Sequence, residues 1–311
     1  MKTAVLTSKG FDLREEATPT CGPGEVLVKT LACGICGGDV FAYSEALKGT
    51  GAERVLGHEG TGTVAAVGAG VERFKEGDLV TSLGGRYSDY FLARYDRILK
   101  LPSKVDPIWA MGEPVACVIH AAPRFGIEVG DRVALLGCGF MGLLCLQAAL
   151  LRGAGYVCAM DTMPWRLKVA RDFGADETVN PESASGEELV ARLGEFDVVI
   201  EAVGNQAALD LAWPLVRQHG RIIVIGYHQS NNGMRTINME RWNFKAIDVI
   251  NGHVRRDDEK LRAMQAGLDL MQAGRLQTAP IVTAYPLDKV NDAFKDLTGR
   301  KEGLFKVALV A

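Results

Sequence analysis

The stretch VALLGCGFMGLLCLQAALL, residues 133–151, carries no charge over nineteen residues, and its length raises the question of a membrane span. Gly137, Gly139 and Gly142 answer it, because they form G-x-G-x-x-G directly after the apolar run 133–136 and before a helical pattern. In a dinucleotide-binding β-α-β unit the first glycine makes the tight turn and the second lets the backbone approach the pyrophosphate. The third lets the helix pack against the strand. The free N–H groups of the helix N-terminus then bind the phosphates.

A second strand ending in an acid supports this interpretation. Residues 156–160 read as a strand, and Asp161 follows it at the position that holds ribose hydroxyls. The first basic residue after it is Arg166, which either covers the adenine side or is a solvated helix arginine. Asp161 would repel a 2′-phosphate, so NAD is favoured over NADP. The three glycines, followed by a strand that ends in an acid, argue against a membrane span. The cofactor-binding residues predicted here are Gly137, Gly139, Phe140, Met141, Gly142, Asp161 and Arg166.

Composition bounds the class of protein. A chain of 311 residues suits two domains, and 23% charged with 48% hydrophobic residues is ordinary for a soluble globular protein. A net charge of −3 gives no field for binding nucleic acid. Seven cysteines without disulfide spacing, and an N-terminus without a signal-peptide core, predict a reduced, cytoplasmic protein that is not a membrane protein.

The secondary-structure pattern changes twice along the chain. Residues 1–118 read as mostly β, and residues 119–255 alternate strands with helices, which predicts a parallel sheet covered on both faces. Residues 256–311 read as two helices and a closing strand, 306–310, which we expect to return to the first domain.

Two thiolates and an imidazole form a candidate metal set in the first part of the chain. Cys36, His58 and Cys117 would give zinc three ligands and leave a fourth position open for water or substrate. Glu59, beside His58, could replace the missing fourth ligand when substrate is absent. Other interpretations stay open: Cys33 and Cys36 as half of a structural zinc site or a redox pair, Cys117 as a core residue, and His58 as a turn residue.

Four segments carry a family resemblance. They are CGICGGD (33–39), GHEGTGTVAAVG (57–68), EPVACVIHA (113–121) and GCGFMG (137–142). Together, in this order and nearly end to end, they resemble the zinc-dependent medium-chain dehydrogenase/reductase family, and EPVACVIHA is most similar to its sorbitol-type polyol branch. The resemblance implies an α/β fold: a GroES-like, mostly-β catalytic domain (1–118 with 256–311) and an inserted Rossmann domain (119–255), with the active site in the cleft. It also implies a homodimer or homotetramer.

The resemblance also assigns roles. It places Cys36, His58 and Cys117 on one catalytic zinc, with Glu59 as an alternate ligand. Glu113 would lie near the metal as a secondary candidate for ligand or catalytic residue. Asp39 would orient the ligand histidine, the alternative being a turn aspartate.

Three departures from the family pattern bear on the chemistry. No cysteine lies between Cys36 and Cys117, so no structural zinc is expected and the pocket should be more open. Gly38 and Phe41 replace the hydroxyl and the histidine that usually carry the substrate proton outward. The proton would then leave through water, the ribose hydroxyls, or one of Tyr43, Glu59 and Glu113.

These features predict a zinc enzyme that transfers a hydride between NAD(H) and a small secondary alcohol or ketone, such as a polyol, sugar or (amino)cyclitol. Val203 and Gly226, after strand ends, are candidates for nicotinamide contact or are ordinary loop residues. His120, His219, His228 and His253 have no evident partner. The alternatives are a zinc-free, NADPH-dependent quinone or enone reductase, and an NAD-binding protein that has lost catalysis.

Overall fold

The computed structural model describes residues 1–50 and 52–311. The chain divides into two compact units, Met1–Ala116 with Arg255–Ala311, and Cys117–Val254. Within the described residues, no helix is long and apolar enough to cross a bilayer.

The first segment of the chain is mostly β, as predicted, with two helices. Its elements are β1 (Lys2–Thr7), β2 (Gly10–Glu15), β3 (Glu25–Gly34), α1 (Gly37–Ala46), β4 (Arg54–Val55), β5 (Glu59–Val67), β6 (Leu79–Ser82), β7 (Tyr90–Arg94), β8 (Ile98–Lys100) and α2 (Gly112–Ala121). The long antiparallel pairing of β3 with β5 is the centre of this unit, and it aligns Gly34 with Glu59. Helix α2 begins in the first unit and ends in the second.

The second unit alternates strands and helices. Its elements are β9 (Arg132–Leu136), α3 (Phe140–Arg152), β10 (Tyr156–Met160), α4 (Pro164–Asp172), β11 (Glu177–Val179), α5 (Gly186–Leu193), β12 (Phe196–Glu201), α6 (Gln206–Leu215), β13 (Val216–Val224), α7 (Met239–Lys245) and β14 (Asp248–Asn251). The strands form a parallel sheet in the order β11-β10-β9-β12-β13-β14. The predicted parallel sheet is therefore confirmed.

The uncharged run of the sequence is divided between β9, the glycine turn and α3. Residues 133–136 are at most 2% exposed, and α3 is buried over nearly its whole length. A helix of 13 residues is about 20 Å long, well short of a membrane's hydrocarbon core. The absence of charge thus reflects a strand and a helix inside a protein core.

The last segment returns to the first unit. It contains α8 (Asp257–Gln272), β15 (Val282–Pro286), α9 (Val290–Thr298) and β16 (Lys306–Val310). Strand β16 pairs antiparallel with β3 and parallel with β15, which confirms the prediction that the closing strand joins the first domain. The sheet runs β15-β16-β3-β5-β6-β8, β7 pairs with β3, and β2-β1-β4 form a smaller sheet.

An aromatic cluster joins helices α1 and α9 of the first unit. Tyr43 of α1 and Phe294 of α9 pack against each other with ring centroids 5.0 Å apart. Phe11 stacks on Tyr43 at 5.8 Å, and the fully buried Tyr87 meets Phe294 edge-on. This packing places the N-terminus of α1, where Cys36 lies, above the end of β3.

Candidate functional site

The structure brings together Cys36, His58 and Glu59. Cys36 caps α1 two residues beyond Gly34, and Glu59 is the residue paired with Gly34 across β3 and β5. His58 directly precedes β5, so the strand pairing sets all three positions. One ligand atom from each residue lies within 4.8 Å of those of the other two. A sulfur, an imidazole nitrogen and a carboxylate oxygen at this spacing are a donor set that suits zinc.

Asp39 and Tyr87 lie behind His58. The Asp39 Oδ2 is 3.8 Å from His58 Nδ1, which is ion-pair distance and too long for a hydrogen bond. Tyr87 donates its hydroxyl to the same Oδ2 at 2.6 Å and so fixes the carboxylate. A hydrogen bond with Cys36, aided by the charges of Glu59 and Asp39, raises the pKa of His58 to about 9. A metal ion that binds here must therefore displace a proton.

Glu59 forms a buried ion pair with Lys306 of the closing strand. The Lys306 Nζ donates to Glu59 Oε1 at 2.7 Å and lies 2.6 Å from Oε2. Both side chains are buried, so the ammonium is the counter-charge of both carboxylate oxygens. Burial raises the pKa of Glu59 against the opposing charge of Lys306. A Cβ at Gly34 would overlap Glu59 Oε2, so glycine at this position leaves room for the carboxylate.

Glu113 forms a second ion pair in the same unit. It lies in the first turn of α2 and is 8% exposed. Lys260 of α8 donates to its Oε1 at 2.8 Å. After burial, the negative charge of Glu113 is a further cause that raises the pKa of Glu59. The structure thus pairs the secondary candidate with a lysine, and its place near the metal stays a prediction.

Other residues of the predicted metal side have different surroundings. Cys33 is fully buried in β3, and burial raises the pKa of its thiol, so it is a core residue rather than half of a CxxC metal or redox site. Tyr43 packs in the aromatic cluster. Phe41 is 39% exposed on α1. Cys117 lies on α2, four residues after Glu113, in the second unit, and its predicted role as a metal ligand stays a prediction.

The glycine turn of the second unit has the geometry that its motif predicts. Gly137 adopts φ +93°, and a Cβ there would meet Val203 Cγ2 at 2.7 Å. A Cβ at Gly142 would overlap the Gly137 carbonyl oxygen, so this glycine sets how closely α3 approaches β9. At Gly139, the N-cap of α3, the nearest described heavy atom to a Cβ is Arg166 Nη1 at 4.0 Å. The turn is thus closed at the first and third glycines and open at the second.

Asp161 ends β10 beside this turn. Its Oδ2 accepts the Cys138 N–H at 2.8 Å and its Oδ1 accepts the Met163 N–H at 2.9 Å. The Arg166 Nη1 is 3.6 Å from Oδ2, and the guanidinium stacks over the Trp165 ring with 5.0 Å to its centroid. Arg166 is therefore directed toward Asp161 and the glycine turn. Each carboxylate oxygen keeps a lone pair with which it can accept a ribose hydroxyl.

The ends of β12 and β13 carry the remaining predicted residues. Val203 is 48% exposed in the loop after β12. Gly226 follows β13, and a Cβ there would overlap the Gly204 N and lie 2.6 Å from Glu201 Oε2. The two loops are thus in contact at the carboxyl edge of the sheet, where ligands bind in open α/β sheets.

The sequence pattern gave no site role to four residues that the structure brings into these clusters: Lys306, Lys260, Arg235 and Glu201. For Lys306 a signal exists, because a lysine that begins an otherwise apolar closing strand is unusual for a buried position. For the others, no pattern in the sequence connects the side chains.

Two family models match the chain. One, described as a zinc-binding dehydrogenase, matches residues 141–272, and one, described as an alcohol dehydrogenase GroES-like domain, matches residues 22–103. A sorbitol dehydrogenase from Gallus gallus is 29% identical, over 97% of this chain and 94% of that protein. A D-xylulose reductase from Scheffersomyces stipitis is 30% identical, over 71% of this chain and 72% of that protein.

A solved structure has the same fold. Alcohol dehydrogenase TADH from Thermus sp. ATN1 aligns with a TM-score of 0.87 and 25% identity, covering 100% of this chain and 99% of that chain. These matches confirm the resemblance carried by the four sequence segments and the predicted fold class. A zinc-binding dehydrogenase from Sinorhizobium meliloti 1021, solved bound to NADP, aligns with a TM-score of 0.87 and 25% identity, covering 100% of this chain and 99% of that chain. The matches also support an oxidoreductase with zinc, a nicotinamide cofactor and a small-molecule substrate.

Proposed function

We propose that this chain, which belongs to the zinc-type medium-chain alcohol dehydrogenase family, transfers a hydride between NAD(H) and a secondary alcohol or ketone. The observation that carries the proposal is the cluster of Cys36, His58 and Glu59, whose ligand atoms lie within 4.8 Å of one another. The substrate class we propose is a polyol, a sugar or an (amino)cyclitol.

The residues present fit a zinc ion. Cys36 and His58 would hold it, with Glu59 as an alternate ligand and Cys117 as the further ligand predicted from the sequence. In support, a thiol sulfur, an imidazole nitrogen and a carboxylate oxygen, all donor types that bind zinc, lie within 4.8 Å of one another. When bound, zinc would supply Lewis-acid polarisation of the substrate oxygen, and NAD⁺ would accept the hydride.

NAD rather than NADP is proposed on the basis of Asp161. Two main-chain N–H groups hold its carboxylate next to the glycine turn, so its negative charge is fixed where a 2′-phosphate would lie. Arg166 stacks on Trp165 and faces Asp161, which offsets part of this repulsion. We expect a preference for NAD that Asp161 dominates.

The chain's own proton carriers are few. Gly38 has no hydroxyl, and Tyr43 is packed in the aromatic cluster. Glu59 and Glu113 remain, each paired with a lysine, together with water. We propose that the substrate proton leaves through water and these carboxylates.

Screening NAD⁺ reduction by the zinc-loaded protein tests the proposal. We expect turnover with polyols or cyclitols, its loss after chelation, and its recovery when zinc is added back. Efficient oxidation of simple primary alcohols but of no polyol or cyclitol would overturn the substrate class. NADH binding without turnover on a wide alcohol panel would favour the nucleotide-binding alternative, and activity with NADPH in a zinc-free protein would favour the reductase.

A further inference from the structure

Three side chains of the second unit form a hydrogen-bonded row at the carboxyl ends of β12 and β13. Glu201, which is fully buried at the end of β12, faces His228 with 3.1 Å between Oε2 and Nε2. On the other side of the imidazole, Arg235 donates from Nε to His228 Nδ1 at 2.8 Å. The row thus runs from a buried carboxylate through an imidazole to a guanidinium.

The chemistry of the partners fixes the state of the imidazole. A guanidinium can only donate, so His228 Nδ1 must accept and carries no proton. The Nε2 then carries the ring proton and donates it to Glu201. His228 is therefore a neutral bridge, held in one tautomer by a donor on one side and an acceptor on the other.

The row connects the backbones of two loops. The Oε1 of Glu201 accepts the N–H groups of Val203 and Gly204 at 2.9 and 2.6 Å. Arg235 donates to the Gly204 carbonyl at 3.1 Å and to the Ser230 carbonyl at 2.8 Å. One row of side chains therefore holds the loop after β12 and the loop after β13.

The position of these loops relates them to the cofactor. In the sheet order, β10 with Asp161 lies on one side of β9 and its glycine turn, and β12 and β13 lie on the other. A dinucleotide whose adenosine lies at Asp161 and whose pyrophosphate lies at the turn extends its other half toward β12 and β13. Val203 and Gly226 are the residues that these two loops present there.

We propose that His228 and Arg235 are positioning residues that hold these loops in the shape required by the nicotinamide half of the cofactor. This inference rests on the proposed function, since it presupposes that NAD(H) is the ligand. Neither residue needs to touch the cofactor, because both act through Glu201 and the loop backbones. Without the row, binding would have to order the loops, and affinity would fall for ligands that carry nicotinamide.

Calorimetric titration of the full chain with NADH and with ADP-ribose, which lacks nicotinamide, tests this role. For His228→Leu we expect NADH to bind about tenfold more weakly and ADP-ribose to stay within about twofold, as loop ordering costs roughly this much. His228→Gln offers both an N–H and a carbonyl oxygen and should recover most of the NADH affinity. Arg235→Met, a second variant in case His228→Leu does not fold, should also weaken NADH selectively. His219→Asn, at an exposed histidine of the same unit whose φ of +56° asparagine tolerates, is the control and should bind like the wild type.

The outcomes separate the two proposals. If the wild type binds ADP-ribose but not NADH, the proposed NAD-dependent function fails and the inference fails with it. If the wild type binds NADH and the variants bind it equally well, only the inference fails. Equal weakening of both ligands, with a lower melting temperature, would mean that the row merely supports the fold.

Discussion

Two buried glutamates of the first unit and two buried carboxylates of the second unit are held in different ways. In the first unit, Glu59 and Glu113 are paired with the ammonium groups of Lys306 and Lys260. In the second unit, main-chain N–H groups hold Asp161 and Glu201. The metal side is therefore fixed by side-chain charge, and the nucleotide side by backbone geometry.

This difference has an energetic consequence. Removing one partner of a buried ion pair leaves an uncompensated charge and typically costs about 3–5 kcal/mol. A main-chain donor is removed only by substitution with proline, so a carboxylate held by N–H groups is otherwise perturbed only by changing the carboxylate itself or the turn that supplies the donors. The carboxylates of the first unit and those of the second should therefore be destabilised by different substitutions.

Lys306→Met should have the largest effect, because Glu59 would be left buried without its counter-charge. We expect the free energy of unfolding to fall by about 3–5 kcal/mol, measured as a shift of the urea midpoint of metal-free protein. The loss should grow as pH rises, because the folded state then favours protonated Glu59 more than the unfolded state does. Lys306→Arg keeps the charge as a control, and Glu59→Gln in the Lys306→Met background should restore stability. If the urea midpoint shifted no more than it does when a surface lysine is replaced, the ion pair would not stabilise the first unit as we expect.

Gly142→Ala and Gly139→Ala form a matched pair on the nucleotide side. The new Cβ of Gly142→Ala would overlap the Gly137 carbonyl, and we expect a loss of about 1–3 kcal/mol in stability. Gly139→Ala has open space, so its stability should change by no more than about 0.5 kcal/mol. Its NADH affinity should nevertheless fall, because the pyrophosphate loses its close approach to the backbone. Equal unfolding midpoints for the two variants would show that the turn does not depend on this packing.

Lys260→Met should cost less than Lys306→Met. Lys260 and Glu113 keep 18% and 11% of their side-chain surface exposed, so water compensates part of the lost charge. We expect about 1–2 kcal/mol, a discount from the fully buried case. Unfolding midpoints of the two Lys→Met variants, measured side by side, give the test. A larger loss of stability for Lys260→Met than for Lys306→Met would contradict the expectation that the more deeply buried ion pair costs more to break.

Asp161→Asn should cost less stability than either of the two Lys→Met substitutions. The amide oxygen can still accept one N–H, while the second donor, from Cys138 or Met163, loses its acceptor, at about 1 kcal/mol. The larger change should be in cofactor choice, with the ratio of NADPH to NADH affinity rising because the negative charge is gone. If titrations with NADPH and NADH gave the same affinity ratio for the variant as for the wild type, Asp161 would not determine the choice of cofactor.

The difference between the ion-paired carboxylates of the first unit and the carboxylates held by main-chain N–H groups in the second also decides how much of the site the sequence could predict. The glycine turn, Asp161 and the parallel sheet follow from residues that are near one another in the chain, so local spacing was sufficient. The ion pairs join residues 247 and 147 positions apart, and no local pattern links a lysine of β16 or α8 to a particular carboxylate. Whether a contact could be predicted from the sequence therefore depends on how far apart its residues lie in the chain, and not on how important the contact is for the site.

Two further elements show the same limit. Helix α1 mixes glycine, polar and aromatic residues and has no clear helical period. Helix α2 is a short, mostly apolar run, and periodicity cannot distinguish such a run from a strand. His228 had no evident partner in the sequence because Glu201 and Arg235 reach it from two different loops. In both cases the tertiary context decides what the local pattern leaves open.

The pairing of β16 with β3 has a consequence for biosynthesis. The second unit is continuous in the chain, so all its strands are synthesised before the closing strand β16, and it can begin to fold as translation proceeds. The first unit must wait for its last strand, and until then the buried site of Glu59 lacks its cation and the edge of β3 lacks its partner. A chaperone or a premature metal ion would meet the nascent chain in this interval. The first unit, whose synthesis begins first, is therefore completed last.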